Sequence, residues 1–260
     1  MKCKCCGKEI QPKIAWPSLD SIYPAVEAIY DEMEASDLHI GMVKAMLEGY
    51  VVAYKASEFL KYEAEIQGSI EVSNIYGKEP AVTLAYKTDA RVTTMDRQAY
   101  YLFETKTTSA QDMAKFLKLL GFDDQADIYL YCDSQKTVEK PIGVIYNVIR
   151  KAKLRQSPVE SDEHFVGRLK DAYMADANKP AEERKYYFRE KVYRNPEQLA
   201  AFIEETRRVM SDMENYMPYK SPKRCGDYSG CPYALLCYGG GSPKDYLRKT
   251  AIHEELVHDK

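Results

Sequence analysis

The sequence predicts a mixed α/β fold, a sheet flanked by helices, and three observations carry that expectation. Apolar positions recur at helical spacing over residues 39–60, two short strand-like runs follow at 81–92 and 99–107, and then helical and β-branched segments alternate. The resulting order is helices, a strand pair, helices, a strand and helices, which suits helices packed on a mixed sheet.

Each element has its own local signal. Ser18 or Asp20 is placed to cap a first helix through about Met33, interrupted by Pro24. Residues 39–60 continue as a second helix, and 61–72 alternate as a strand. The runs AVTLAYKTDARV and AYYLFETKT read as two strands joined by a turn at Thr94–Gln98. Ser109 is the expected N-cap of AQDMAKFLKLL, which Gly121 ends, and Asp123 the cap of DQADIYLYC. PIGVIYNVIRKA is rich in β-branched residues and reads as a strand. A helix near SDEHFVGRLKDAYM precedes the alternating run KYYFREKVYR. Asn195 followed by Pro196 marks the start of a long last helix, cap and then first-turn proline.

Composition bounds the rest. At 45% hydrophobic and 30% charged residues, the chain is neither disordered nor fibrous. No apolar run is long enough to cross a bilayer, and the chain opens on Lys and Cys rather than a signal peptide, so a cytoplasmic protein without membrane association is expected. A net charge of −3 argues against a uniformly basic nucleic-acid coat but allows local ones. Arg150, Lys151, Lys153 and Arg155 form one basic cluster, and Lys220, Lys223 and Arg224 another.

Residues 99–106 are the most informative. Tyr100 to Phe103 read as a buried strand that abruptly supplies Glu104 and Lys106. Residues two apart on a strand share a face, so carboxylate and ammonium emerge together. Charges at the end of a buried strand are costly unless paired or bound to a cation. Asp89 follows a similar apolar run on the preceding strand, and a hairpin would bring it to Glu104. Two carboxylates, joined by the Thr105 carbonyl, make a hard-oxygen site suited to Mg²⁺ or Mn²⁺. Such a site serves phosphodiester chemistry, with Lys106 orienting a water and offsetting negative charge. A strand ending in a surface ion pair is the competing reading.

The run TDARVTTMDRQAYYLFETKTTS resembles the core motif of the PD-(D/E)XK nuclease superfamily, in particular its RecB-type branch of phage exonucleases and CRISPR-adaptation nucleases. The resemblance covers most of residues 39–237 and implies a restriction-endonuclease-like α/β core. It implies Asp89, Glu104 and Lys106 as the catalytic set, with Asp89, Glu104 and Thr105 holding the metal. Gln125 and Tyr129 match the branch's Q-x-x-x-Y motif, four residues apart and therefore on one helix face. The branch's helical histidine is missing: Lys44 or Ala45 stands near its place, His39 precedes Gly41, and Glu48, Glu63 and Glu65 are the candidate substitutes.

Seven cysteines fall in clusters, which in a cytosolic protein points to metal ligation rather than disulfides. Cys225, Cys231 and Cys237 form C-x5-C-x5-C among turn-forming Gly226, Gly230 and Pro232, and both a [4Fe–4S] cluster and Zn²⁺ suit such thiolates. The resemblance favours iron–sulfur, with Cys6 as the fourth ligand among Cys3, Cys5 and Cys6, although some relatives have the tighter C-x2-C-x5-C. Cys132 is expected to be an ordinary packed cysteine, and His164, His253 and His258 to be incidental.

Three regions are expected: a Cys-rich segment and helical lead-in (1–38), the nuclease core (39–219), and a C-terminal cysteine cluster and tail (220–260). The resemblance implies a metal-dependent DNA exonuclease of phage recombination or DNA processing. DNA would be held at Arg150, Lys151 and Lys153, and the implied protein partner is a single-strand-annealing, helicase or other recombination protein. The alternatives are a catalytically weakened nuclease-fold protein that binds DNA or a partner, and a structure-specific endonuclease.

Overall fold

The computed structural model describes residues 19–33, 35–54, 59–73, 82–94, 100–215 and 230–247. Five strands form one sheet in the order β1-β2-β3-β4-β5: β1 Phe59–Val72, β2 Val82–Thr94, β3 Tyr100–Thr108, β4 Val144–Arg150 and β5 Tyr187–Val192. The pairs β2–β3 and β4–β5 are antiparallel and β3–β4 is parallel, so the sheet is mixed. The helices are α1 Leu19–Glu32, α2 Asp37–Ala53, α3 Met113–Leu120, α4 Asp124–Lys136, α5 Asp162–Ala177, α6 Pro196–Glu214 and a short α7 Ala234–Cys237. The expected α/β architecture, a mixed sheet flanked by helices, is therefore present. Among the described residues no helix is long and apolar enough to cross a membrane.

The chain divides into two compact units. The first is Met1–Ile70 with Ala85–Leu199, and it carries most of the sheet. Odd-numbered residues of β4 share one face: Ile149 joins Ala45, Ala53, Phe165, Leu169, Tyr173 and Tyr187 in one core cluster, Asn147 meets Tyr50 of α2, and Ile145 packs in a second cluster with Phe59, Ala90, Val92, Tyr101 and Phe103. Even-numbered residues face the other way, where the Tyr146 hydroxyl donates to Asp123 at the head of α4. Helix α2 approaches α5 closely because Gly41, Ala45, Gly49 and Ala53 recur every fourth residue and share one side. A Cβ on Gly41 would lie 2.9 Å from Val166, and one on Gly49 2.9 Å from the Tyr173 Cβ.

The second unit is Glu71–Leu84 with Ala200–Lys260. Its described parts are the outer ends of β1 and β2, where Thr83 Oγ1 donates to Glu71 at 3.3 Å, the body of α6, and residues 230–247. In that last segment Tyr233 stacks on Tyr246 at 5.5 Å, and a Ser242–Asp245 capping box starts a 3-10 turn at Pro243–Asp245.

Capping reads well from sequence in most places. Asp123 and Ser161 cap α4 and α5 with their side chains. Asn195 and Gln198 exchange side-chain-to-backbone bonds at 2.8 and 2.9 Å at the start of α6.

Several boundaries differ. α1 begins at Leu19 and runs through Pro24, so Asp20 lies inside it, while Ser18 is outside the described residues. α2 stops at Ala53 and β1 starts at Phe59, where one helix through residue 60 was expected. α4 continues four residues beyond Cys132, to Lys136. Ser109 does not cap α3; Asp112 does, accepting from the Lys115 N–H at 2.9 Å. The reason is tertiary: the Arg150 guanidinium donates to the carbonyls of Ala110 and Gln111, holding those residues outside the helix. Gly121 does end α3, but in right-handed backbone (φ −64°) rather than the left-handed cap glycine often supplies. The turn at 95–98 lies outside the described residues.

One irregularity matters for the site. Tyr86 and Arg91 are an odd number of residues apart on β2, yet both reach Asp133 on α4. Strict two-residue alternation would send them to opposite faces, so the alternation breaks between them. Next door on β1, Glu65 has a left-handed backbone (φ 51°), and its carboxylate pairs with Lys87 at 3.2 Å.

Candidate active site

The β2–β3 register pairs Ala90 with Phe103, Arg91 with Leu102, Val92 with Tyr101 and Thr93 with Tyr100. One step further along it, Asp89 stands opposite Glu104. Directly opposed residues of an antiparallel pair share a face, so Asp89 stands on the side where Glu104 meets α4. Asp89 Oδ2 accepts from the Thr105 N–H at 2.6 Å, which ties the two strands at this point. Thr88 adds a second tie, its hydroxyl donating to the Phe103 carbonyl at 2.8 Å.

Glu104 is buried, only 9% exposed, and among the described residues its side chain is met by Gln125, Tyr129 and Lys106. Gln125 Nε2 donates to its Oε1 at 3.1 Å, and the Tyr129 hydroxyl lies 3.1 Å from its Oε2. Lys106 Nζ stands 3.6 Å from Oε1. Burial raises the Glu104 pKa above the usual carboxylate range, and the neighbouring Asp89 charge raises it further; Lys106 and Tyr129 oppose this. Asp89, by contrast, is exposed.

Helix α4 holds the other half. Lys106 Nζ donates to Gln125 Oε1 at 2.5 Å, so one carboxamide bridges the ammonium and the carboxylate. Tyr129 also lies within hydrogen-bond reach of Gln125 Nε2 and stands 2.7 Å from the Lys87 carbonyl. Burial pushes its phenol pKa upward, with the Glu104 charge adding to the effect. α4 is in turn fixed to the sheet through Asp133, which is fully buried and accepts from Tyr86 at 2.7 Å, Tyr100 at 2.8 Å and Arg91 at 2.7 Å.

The five residues singled out by sequence, Asp89, Glu104, Lys106, Gln125 and Tyr129, therefore converge at one end of β3. Sequence reasoning passed over their neighbours. The spacing marks Asp123 only as a helix cap, yet its Oδ2 also lies 3.6 Å from Lys106 Nζ. On the opposite face, Asn147 Nδ2 donates to Thr105 Oγ1 at 3.4 Å and Tyr50 donates to Asn147. A lone asparagine in the middle of a β-branched strand was the available signal.

The candidate substitutes for the absent histidine go elsewhere. Glu48 pairs with Lys170 at 2.6 Å and accepts from Tyr23; Glu63 pairs with Arg91 at 3.4 Å, and Glu65 with Lys87. His39 is exposed and bonds to Ser36 Oγ at 2.8 Å. Among the described residues no group of three or more His, Cys, Asp or Glu side chains is gathered to hold a metal. The carboxylates at the site that face each other across β2 and β3 are Asp89 and Glu104, and Asp123 lies 3.6 Å from Lys106 Nζ. Two adjacent carboxylates, one buried and with a raised pKa, are a donor set that suits a hard divalent cation.

Of the basic cluster, Arg150 turns inward onto Ala110 and Gln111, as noted above, while Lys151, Lys153 and Arg155 are exposed. Cys231 is partly buried just ahead of α7, and Cys237 is exposed at its last position. Cys3, Cys5, Cys6, Cys225, Lys220, Lys223, Arg224, His253 and His258 lie outside the described residues. Cys132 is packed as expected, its thiol pKa pushed up to about 12 by burial. His164 pairs with Glu160 at 2.7 Å, away from the site. No family model matches the chain, and no curated protein sequence matches it.

Proposed function

We propose that the chain is a metal-dependent deoxyribonuclease of the PD-(D/E)XK type, an exonuclease hydrolysing phosphodiester bonds at DNA ends in phage recombination or DNA processing. The observation that carries this is the convergence of Asp89, Glu104 and Lys106 at the end of β3, bridged by Gln125 and Tyr129 from α4. Asp89, Glu104 and the Thr105 carbonyl are the residues that would hold Mg²⁺ or Mn²⁺. When bound, the cation supplies charge neutralisation at the phosphate and activation of water.

The protein's own groups divide the remaining work. Lys106 places a fixed positive charge beside Glu104, where it orients the attacking water and offsets charge developing on the phosphate. Gln125 keeps that ammonium from swinging into solvent. Tyr129 holds the Glu104 carboxylate in one rotamer, and a preorganised carboxylate loses little freedom on engaging its ligand. Exposed Lys151 and Lys153 suit sequence-independent phosphate contacts, whereas the inward-turned Arg150 does not. A single-strand-annealing, helicase or other recombination protein fits as partner.

The cysteines are read as a [4Fe–4S] site of Cys6, Cys225, Cys231 and Cys237, with Zn²⁺ the alternative for the same thiolates. Anaerobically purified protein should be brown, with broad visible absorbance; colourless protein with stoichiometric zinc would sink the iron–sulfur assignment.

A second reading, a weakened nuclease scaffold that binds DNA or a partner, is favoured by one observation: Glu48, Glu63 and Glu65 are each engaged by a basic residue away from the site. One experiment separates the two. Linear and circular DNA, single- and double-stranded, are incubated with Mg²⁺ or Mn²⁺ and with EDTA, using wild type and Lys106→Ala. Metal-dependent loss of linear DNA by wild type alone supports the exonuclease. Cleavage of circles points to an endonuclease, and no difference from Lys106→Ala defeats the enzymatic reading.

A further inference from the structure

We infer that Asp123, anchored by Tyr146, is a positioning residue for Lys106; the catalytic consequence rests on the nuclease reading, the geometry does not. Asp123 uses its two oxygens for separate tasks. Oδ1 accepts from the Gln125 N–H at 3.1 Å and caps α4. Oδ2 accepts from the Tyr146 hydroxyl at 3.0 Å and lies 3.6 Å from Lys106 Nζ.

The elements explain why these groups meet. Tyr146 is paired with Glu104 in the parallel β3–β4 register, one pleat from Lys106 on the same face. Its ring lies 5.4 Å from Lys106 Nζ, and the side chain is fully buried, so its hydroxyl is a fixed donor. The turn between α3 and α4 is fixed as well. Arg194 donates to the Gly121 carbonyl at 3.1 Å and forms a two-pronged pair with Asp127 at 2.6 and 3.0 Å. Asp123 is thereby a rigid anion rather than a floating surface charge.

Lysine has a long, freely rotating stem, and confining it costs side-chain entropy. Glu104 and Gln125 hold the ammonium from one side. Asp123 holds it from the other, at the same 3.6 Å as Glu104. The charge is thus kept over the Tyr146 face beside Glu104, instead of collapsing onto Glu104 and using up an oxygen that a cation needs.

The test is Asp123→Asn in the full-length protein, because asparagine caps helices as well as aspartate does while its Nδ2 replaces the charged oxygen that faces Tyr146 and Lys106. Cleavage kinetics on linear DNA should show kcat lowered about 10–100-fold, with KM changed less than about twofold and an unchanged melting temperature. Tyr146→Phe keeps the ring, removes the anchor and should fall in the same direction by less. ¹³Cε relaxation of Lys106, assigned against Lys106→Ala, should report a more mobile side chain in Asp123→Asn. Wild-type kcat in Asp123→Asn overturns the proposal, as does a fall in kcat with Lys106 as ordered as before, which would mean Asp123 acts directly. If wild type cleaves no DNA, the nuclease reading fails on its own, and the relaxation data alone decide whether Asp123 holds Lys106.

Discussion

Gln125 Nε2 donates to Glu104 Oε1 at 3.1 Å, and this contact fixes which way round the carboxamide sits. Its oxygen then faces Lys106 Nζ at 2.5 Å. Replacing Gln125 by Glu keeps the shape and the lysine contact but places a third carboxylate against Glu104 and removes its donor. DNA cleavage by Gln125→Glu should fall about 10–100-fold, read as initial rates at saturating Mg²⁺. A rate equal to wild type would show that the bridge does not serve catalysis.

Glu104 should cost stability while serving function. Burial and the Asp89 charge raise its pKa, so the folded state binds this proton more tightly than the unfolded chain does. Stability is then lost as pH rises from the ordinary glutamate range through the raised value, and the penalty is present in full above that value. Glu104→Gln should raise the melting temperature at pH 7 in EDTA by about 2–4 °C while abolishing cleavage. The gain should vanish below about pH 4, where glutamate is protonated in both states. A lower melting temperature at pH 7 would contradict the assignment.

Asp133 is the anchor of α4, and its loss should be severe. Asp133→Ala leaves the Arg91 guanidinium and the Tyr86 and Tyr100 hydroxyls without their shared acceptor. Breaking a buried pair in this way costs about 3–5 kcal/mol, measurable by urea unfolding. Asp133→Asn retains one acceptor oxygen and should lose less. Equal stability of Asp133→Ala and wild type would rule out the anchor.

Two glycines should respond oppositely to alanine. Gly49 faces α5, where a Cβ meets Tyr173 at 2.9 Å and also collides with the Tyr187 hydroxyl. Gly49→Ala should destabilise by about 1–3 kcal/mol through overpacking. Gly167, on α5 itself, has nothing within 4 Å of the added Cβ. Gly167→Ala should stabilise by about 0.5–1 kcal/mol through helix propensity. Thermal melts of both variants check the pair, and a shared sign would contradict the packing described.

What the sequence determined by itself was local. Glu104 and Lys106 share a face because strands repeat every two residues, and Asp123, Ser161 and Asn195 cap because the N–H groups they satisfy lie two or three residues away. Those relations depend on near neighbours in the chain, so spacing reveals them. Tertiary structure decided the rest. Tyr86 and Arg91 both reach Asp133 although an odd number of residues apart on β2, and alternation read from sequence assumes a regular strand. Spacing marks Arg150 as a phosphate contact, but its guanidinium holds Ala110 and Gln111, which also places the α3 cap at Asp112 rather than Ser109. Asp123 became part of the site through Tyr146, twenty-three residues away in the chain. In each case the deciding partner lies on a different element, and only packing of the sheet against its helices brings it within a few ångströms.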